Sequence, residues 1–242
     1  MRNFCKLPKV IFFGDSLTER GWSYDGGWLA MVADSLVRRV DVIGRGFSGY
    51  TTRICRPLLN DLYPDKASVK NCRFFTIFLG ANDASSGSQH VPIDEYKANL
   101  AAMVMHLKEL EITLDRILLI SVPPVDEARY NALQLAKDMS PVRQLKCCQL
   151  YTQACKEVAS ECGVGFINLY NAMIAQQNWH EFFNDGLHFS RKGSEFLANI
   201  LKLIFDERLA DCTVQLPDWK TVNMEDPQST LQAYKDGLKN DH

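Results

Sequence analysis

Five short apolar runs, each followed by a segment with helical periodicity, constrain the fold of this 242-residue chain more than any other feature. The runs are rich in β-branched and aromatic residues, which is typical of strands that are covered on both faces. Strands that alternate with helices pair in parallel, and right-handed crossovers place helices on both faces of the sheet. The sequence therefore predicts an α/β fold of three layers with a doubly wound, five-stranded parallel sheet, its strands at residues 10–13, 41–43, 73–79, 116–122 and 165–169.

Helices are predicted between these strands from the spacing of apolar residues. The longest has Pro141 in its first turn and Gly163 as its C-terminal stop. The chain after Asp211 has a different character, with two prolines and a weak helical pattern, and Leu216 and Trp219 offer apolar anchors. We expect a main domain of residues 1–210 and an extension, 211–242, that packs on it. The predicted helices span residues 26–39, 52–62, 93–110, 141–163 and a final stretch from about residue 192.

Composition and charge argue against several classes of partner. The formal net charge of −2 gives no reason to expect a nucleic acid or an anionic membrane surface. No apolar run reaches the roughly 18 residues that a membrane-spanning helix needs. The eight cysteines form no CxxC pair, and Cys148, Cys155 and Cys162 recur every seven residues on one predicted helix face. We therefore expect free thiols in a reducing, cytosolic compartment, and the spacing of His, Asp and Glu predicts no metal site.

Polar, glycine-rich loops follow four of the five predicted strands. The carboxyl ends of parallel strands lie at one edge of a sheet, where ligands bind in doubly wound folds. We therefore expect these loops to lie close together. They are the turn of Gly14, Asp15 and Ser16, the loop with Gly46 and Gly49, the segment Gly80, Ala81, Asn82 and Asp83, and the segment Asp185, Gly186, Leu187 and His188.

The residue types in these loops are those that acyl transfer needs. A serine hydroxyl is a weak nucleophile until a base removes its proton, and His188 is the best candidate base for Ser16. Asp185, three residues before His188, can hold the other ring nitrogen and so fix the tautomer. The backbone N–H groups of Ser16 and Gly49 and the Asn82 amide are candidate donors to the oxyanion of a tetrahedral intermediate.

Simpler interpretations of the same residues stay open at this point. Ser16 is a plausible helix N-cap, and Asp185 with His188 is compatible with an ordinary turn and cap. Asn82 and Asp83 are common turn residues. A phosphate-binding function is disfavoured, because no GxxxxGK[ST] is present and no GxGxxG follows the first strand.

The four loops together resemble the conserved blocks of the SGNH, or GDSL, hydrolases. The resemblance extends from about Val10 to Val222, and RGFSGYT, TIFLGANDA, DGLHFSRKG and LPDWKTV look like the isoamyl acetate-hydrolysing esterase branch. One departure is the pair Gly44 and Arg45, where many family members have Asn before the block II glycine. The matching residues are the nucleophile Ser16 in block I, Gly49 in block II, Asn82 in block III, and Asp185 with His188 in block V.

The resemblance implies a flavodoxin-like SGNH hydrolase fold and a serine esterase that acts on short-chain esters, with acetyl esters the expected substrates, and without a cofactor. The implied partner is a small-molecule ester. Two alternatives remain at the level of sequence. The same blocks also serve sugar deacetylases and hydrolases of lipids or thioesters, and a hydrolase fold can be a non-catalytic binding module.

Overall fold

All five strands run in parallel in the computed structural model, which describes residues 7–214 and 216–237. Their order in the sheet is β2-β1-β3-β4-β5, so the central strand is β3 and the chain crosses over β1 between β2 and β3. The predicted α/β architecture with its doubly wound, five-stranded parallel sheet is confirmed. The strands are β1 Lys9–Gly14, β2 Asp41–Gly46, β3 Cys72–Phe78, β4 Ile117–Ile120 and β5 Gly165–Ile167.

Helices cover both faces of the sheet. On one face α2 packs against α8, and on the other α4 lies between α3 and α6. The α-helices of the described residues are α1 Ser16–Glu19, α2 Trp28–Ser35, α3 Thr52–Leu62, α4 Ile93–Glu109, α5 Glu127–Leu135, α6 Leu145–Cys162, α7 Leu169–Ile174, α8 Arg191–Arg208 and α9 Pro227–Gly237.

The two faces of β1 carry aromatic side chains into two separate packing layers. Phe12 makes edge-to-face contacts with Trp28 of α2 and Phe205 of α8, at ring-centroid distances of 5.2 and 5.8 Å. The next residue, Phe13, points to the opposite face and contacts Phe75, which in turn packs against Tyr63 at the end of α3. Alternate side chains of a strand point to opposite faces, so a strand that is apolar throughout is buried on both.

Two helices and one helix start differ from the sequence-based prediction. The region between β4 and α6 contains α5, which buries none of its residues and therefore lacks the apolar stripe by which a helix is recognised. The short helix α7 begins at Leu169, inside the predicted fifth strand. The prediction of a helix from Pro141 is wrong, since α6 begins at Leu145 and residues 141–144 form no regular secondary structure, with the carbonyl of Val142 accepting from the N–H of Ser86.

The chain after α8 contacts the domain through polar groups. The guanidinium of Arg38 donates to the carbonyls of Leu216 and Pro217, and Arg39 donates to the carbonyl of Cys212. The expectation that Leu216 and Trp219 serve as apolar anchors is wrong, because their exposed fractions are 41% and 71%. The boundary between domain and extension stays a prediction, and Cys5 lies outside the described residues.

Glycine is required where α1 approaches the end of β2. A Cβ on Gly46 would lie 1.9 Å from the backbone nitrogen of Glu19 and 2.4 Å from its Cα. No side-chain rotation relieves a clash with backbone, so β2 runs to Gly46 beside α1 only because this residue has no side chain. The strand had been predicted to end at residue 43. Among the described residues no helix is long and apolar enough to cross a membrane.

We predict that Gly46→Ala lowers the free energy of unfolding by about 3 kcal/mol, because the new methyl group forces β2 and α1 apart. Gly163→Ala is the matched control. Gly163 ends α6 with φ of +70°, and its nearest Cβ contact would be an ordinary 3.9 Å, so only the left-handed backbone opposes the change. Its expected cost is about 1 kcal/mol. Urea denaturation measures the free energy of unfolding of both variants. Equal losses in the two variants would contradict the claim that the close approach of β2 to α1 requires glycine at position 46.

Candidate active site

Ser16 is the first residue of α1, directly beyond the end of β1. The helix is capped by Asp15, whose Oδ1 accepts a hydrogen bond of 2.9 Å from the backbone N–H of Leu17. The interpretation of Ser16 as the N-cap is therefore wrong. Because Asp15 satisfies the helix terminus, the hydroxyl of Ser16 is available for a contact outside its own helix.

That contact is with His188. The Oγ of Ser16 lies 3.0 Å from Nε2 of His188, across 172 residues of sequence. The other ring nitrogen, Nδ1, lies 2.7 Å from Oδ2 of Asp185, and Oδ1 of Asp185 accepts a second hydrogen bond, of 2.7 Å, from the backbone N–H of His188. The carboxylate thus favours the tautomer with the proton on Nδ1, which leaves Nε2 free to accept the proton of the serine hydroxyl.

A tight turn brings Asp185 and His188 together. Gly186 has φ of +88°, and a Cβ there would lie 2.6 Å from the carbonyl oxygen of Asp126. The N–H of Asp126, the N-cap of α5, donates to the carbonyl of Gly186. The segment that includes the unpredicted helix α5 therefore supports the turn that carries Asp185 and His188.

Hydrogen bonds keep the Asp185 carboxyl ionised. Partial burial of this group raises its pKa, but the ring and backbone N–H groups of His188 and the N–H of Leu187 together outweigh burial. The net result is a pKa of Asp185 below its ordinary value. An ionised carboxylate beside Nδ1 is what stabilises an imidazolium when the ring takes up a proton.

The loop after β2 lies against α1 and presents Gly49. The carboxylate of Glu19, in α1, accepts hydrogen bonds from both the N–H and the hydroxyl of Ser48, at 2.8 and 2.7 Å. Gly49 itself has φ of +80°, the left-handed region that glycine adopts without strain. The backbone N–H groups of Ser16 and Gly49 make no hydrogen bond within the described part of the chain, so both are unused donors.

Asn82 joins the loop after β3 to the same group. Its Nδ2 donates to the carbonyl of Tyr50 at 2.8 Å, which uses one of its two amide hydrogens and leaves the other free. The neighbouring Asp83 accepts hydrogen bonds from the N–H and the hydroxyl of Thr52. The structure therefore brings all four glycine-rich loops to one edge of the sheet.

Sequence reasoning missed two residues of this region, Arg143 and Gln89. The guanidinium of Arg143 is 5% exposed and donates from Nη1 to the carbonyl of Ala81 and from Nη2 to Oδ1 of Asn82, the latter at 2.9 Å. Gln89 lies between Arg143 and Gly49 and hydrogen-bonds to both. Neither residue belongs to a recognisable motif, and only the contacts of the folded chain identify them.

Two buried carboxyl groups lie behind the loops. Burial raises the pKa of the Asp15 carboxyl to about 7, with the Asp83 carboxyl adding to the rise and the N–H of Leu17 and the guanidinium of Arg143 opposing it. Burial also raises the pKa of Asp83 to about 6, against the hydrogen bonds from Thr52. Oδ2 of Asp15 has no hydrogen-bond partner. These carboxyl groups cost stability when they ionise.

A small cavity opens beside His188 and beside Leu17, the residue that follows Ser16. It has room for only one or two water-sized groups. Arg20 is exposed at this cavity, and the rest of the lining is mostly apolar. Among residues 7–214 and 216–237, no three His, Cys, Asp or Glu side chains converge as a set of metal ligands. The cavity is lined by Leu17, Arg20, Trp28, His188, Phe189 and Ser194.

Comparison with known proteins identifies relatives along most of the chain. Residues 12–196 match the model of the GDSL-like lipase/acylhydrolase family. The isoamyl acetate-hydrolyzing esterase 1 homolog of Rattus norvegicus is 38% identical over 229 residues, which cover 93% of this chain and 92% of the relative. The human homolog of the same name is 36% identical, with the same two coverages. A GDSL esterase/lipase of Arabidopsis thaliana is also 36% identical and covers 93% of this chain and 98% of its own length.

Solved structures share the fold. The crystal structure of a lipase/acylhydrolase from Enterococcus faecalis superposes with a TM-score of 0.68, at 24% identity, and covers 87% of this chain and 100% of that one. An acetyl xylan esterase superposes with a TM-score of 0.63 at 20% identity, covering 82% of this chain and 98% of its own. At such identities the likeness concerns the architecture alone.

We predict that stability falls as the pH rises through the range in which Asp15 ionises. Its pKa is raised in the folded state, so between about pH 4 and 7 the folded chain binds more protons than the unfolded chain, and unfolding becomes easier as pH increases. Between pH 5 and 8 this residue should account for a loss of about 2–3 kcal/mol.

Asp15→Asn tests the assignment, because asparagine caps a helix as well as aspartate does and does not ionise. Urea denaturation at pH 5 and pH 8 should show a smaller loss of stability in the variant than in the parent chain. Asp25→Asn, at an exposed position, serves as the control and should behave as the parent does. The prediction would be contradicted if the free energy of unfolding fell by the same amount between pH 5 and pH 8 in the parent and in Asp15→Asn.

Proposed function

The chain belongs to the GDSL-like lipase/acylhydrolase family and is a carboxylic ester hydrolase, and we propose that it works through a triad of Ser16, His188 and Asp185. The observation that carries this proposal is the continuous hydrogen-bonded series from Ser16 Oγ to His188 Nε2 and from His188 Nδ1 to Asp185, at 3.0 and 2.7 Å. A nucleophile within reach of a base that a third group orients is the arrangement of covalent acyl transfer.

In the proposed reaction, Ser16 Oγ attacks the carbonyl carbon of the ester while Nε2 of His188 takes the hydroxyl proton. The tetrahedral intermediate collapses as the imidazolium of His188 donates this proton to the alkoxide leaving group. The acyl group then remains on Ser16 as an ester. A water molecule gives its proton to Nε2 and attacks the acyl carbon, and the collapse of the second intermediate returns the proton to Ser16 and releases the carboxylic acid.

The oxyanion of both intermediates is proposed to accept from the backbone N–H groups of Ser16 and Gly49 and from Nδ2 of Asn82. Support comes from the two backbone donors being unused in the described part of the chain and from the one amide hydrogen of Asn82 that Tyr50 does not take. Donors already oriented before the charge develops stabilise a transition state without further reorganisation.

Short acyl groups, acetyl among them, are the proposed substrates. The cavity beside His188 has room for only a few heavy atoms, and the fully buried Trp28 forms one wall. The rat and human relatives carry the name isoamyl acetate-hydrolyzing esterase 1 homolog, which accords with an acetyl preference. The expected cytosolic location still depends on the cysteine pattern of the sequence.

We predict that Ser16→Ala lowers kcat for p-nitrophenyl acetate by at least about 10³-fold, because the attacking atom is removed. The thermal unfolding midpoint should stay close to that of the parent, because a single hydrogen bond is lost. Ser160→Ala, at an exposed position of α6, is the matched control and should keep full activity. Mass spectrometry after treatment with a fluorophosphonate should find the label on Ser16 of the parent and no label on Ser16→Ala.

Two outcomes would contradict this function. Undiminished turnover by Ser16→Ala would exclude Ser16 as the nucleophile. A parent chain that neither hydrolyses p-nitrophenyl esters nor reacts with the fluorophosphonate would instead favour a non-catalytic binding module.

We predict that Phe189→Ala moves the acyl preference toward longer chains. Phe189 lines the cavity, and its ring stacks on Phe78, so truncation enlarges the space beside Ser16. The ratio of kcat/KM for p-nitrophenyl butyrate to that for the acetate should rise by about 10-fold, the effect expected for one or two methylenes in an apolar pocket. Phe196→Ala is the control, because Phe196 packs on Phe182 and does not line the cavity. An unchanged ratio in Phe189→Ala would place the acyl group elsewhere.

A further inference from the structure

The Arg143 guanidinium is a buried cation whose hydrogen bonds go only to neutral groups. Its acceptors are the carbonyl of Ala81, Oδ1 of Asn82 and Oε1 of Gln89. Its Nε has no hydrogen-bond partner, and among the described residues no carboxylate accepts a hydrogen bond from the guanidinium. The Asp15 carboxyl lies close enough to interact with this charge electrostatically, but it makes no hydrogen bond to the guanidinium. A buried charge whose hydrogen-bond acceptors are all neutral is costly to fold around, so its presence here calls for an explanation other than stability.

The contact of Arg143 with Asn82, together with the hydrogen bond from Asn82 to the Tyr50 carbonyl, determines which way that amide faces. Asparagine presents nearly equal shapes when its amide is turned by 180°, but opposite hydrogen-bonding groups. Because Nη2 of Arg143 lies 2.9 Å from Oδ1, the amide oxygen is held toward the cation and Nδ2 is held toward Tyr50 and the loop edge. Without the guanidinium, the turned amide would direct its oxygen at the developing negative charge. A cation at Oδ1 also polarises the amide and makes Nδ2 a stronger donor.

A second connection leads from Arg143 to Gly49 through Gln89. The same Nη2 lies 3.0 Å from Oε1 of Gln89, whose Nε2 donates to the carbonyl of Gly49 at 2.7 Å. On the other side of Gly49, the N–H of Ser48 is held by Glu19. The peptide group that bears the N–H of Gly49 therefore lies between two anchored neighbours.

We propose that Arg143 is a positioning residue of the oxyanion hole, holding the Asn82 amide directly and the Gly49 loop through Gln89. This inference depends on the proposed esterase mechanism, in which Asn82 and Gly49 donate to the oxyanion. The groups that Arg143 orients interact with the substrate most strongly in the transition state. Its loss should therefore lower kcat and leave KM nearly unchanged.

The central test is a double-mutant cycle between Arg143→Lys and Asn82→Ala, with p-nitrophenyl acetate as substrate. Lysine keeps the charge but lacks the planar fork that reaches three acceptors. Arg143→Lys should lower kcat by about 10- to 100-fold, the range typical of residues that orient another group, with KM within about threefold. In the Asn82→Ala background, Arg143→Lys should lower kcat by less than about threefold, because the amide that Arg143 orients is already gone.

Gln89→Met provides a second variant that does not disturb a buried charge. Gln89 is half-buried, and methionine keeps its length but makes neither hydrogen bond. We expect kcat to fall by about 10-fold with the thermal unfolding midpoint near that of the parent. Gln153→Met, on the exposed side of α6, is the matched control and should keep the parent kcat.

The outcomes separate this proposal from the mechanism on which it depends. If Ser16→Ala keeps the parent rate, the proposed function itself fails. If Ser16→Ala is inactive but Gln89→Met and Arg143→Lys stay within twofold of the parent kcat, the positioning role is wrong. The positioning role would also be overturned if the loss of kcat in the double variant equalled the product of the losses of Arg143→Lys and Asn82→Ala. Arg143 would then act independently of the amide. If Arg143→Lys does not fold, the Gln89→Met result decides.

Discussion

The reversal of strand order between β1 and β3 is the constraint on which the rest of this structure depends. The chain leaves β1 through α2 on one face of the sheet, and it leaves β3 through α4 on the other. The loops at the carboxyl ends of these two strands therefore diverge, and a crevice remains between them. Ser16 lies two residues beyond the end of β1, and Asn82 lies beyond the end of β3. The reversal of strand order therefore places the proposed nucleophile and the proposed amide donor on the two sides of the same crevice.

Polar groups in such a crevice have to satisfy one another. The carboxyl of Asp83 accepts from Thr52, and that of Asp15 caps α1. Arg143 donates to Asn82 and Gln89, both of which lie in the loop after β3. The contacts of Asp83 and Arg143 connect residues that are 31 to 62 positions apart in sequence, whereas the contact of Asp15 is a local helix cap. Buried acids with raised pKa values and a cation that hydrogen-bonds only to neutral groups lower the stability of the fold. In return for this lower stability, the hydrogen-bond donors at the proposed site are held in fixed orientations.

The segment before α6 shows why the sequence-based prediction failed where it did. Pro141 at the start of an apolar, periodic stretch is a good helix N-terminal signal, and in isolation the prediction of a helix from that residue is sound. In the folded chain, the carbonyl of Val142 pairs with Ser86, and the Arg143 side chain reaches Asn82. Tertiary hydrogen bonds thus hold these residues outside a helix, and the missed helix start and the missed residue Arg143 have the same cause. The apolar anchors predicted in the tail failed in a similar way, because the guanidinium groups of Arg38 and Arg39 hold that segment by its carbonyls.

The sequence by itself determined the parallel α/β sheet, the strand positions to within a few residues, and the set of loops that carry the candidate triad. Apolar periodicity and turn-forming glycines are local properties, and parallel pairing brings all strand ends to one edge without further information. Only the tertiary structure decided that Asp15 caps α1 and so frees Ser16, that Arg143 and Gln89 hydrogen-bond to Asn82 and Gly49, and how narrow the cavity beside His188 is. Each of these depends on side-chain contacts between distant segments, and a side chain's partner across 50 or more residues leaves no local pattern in the sequence.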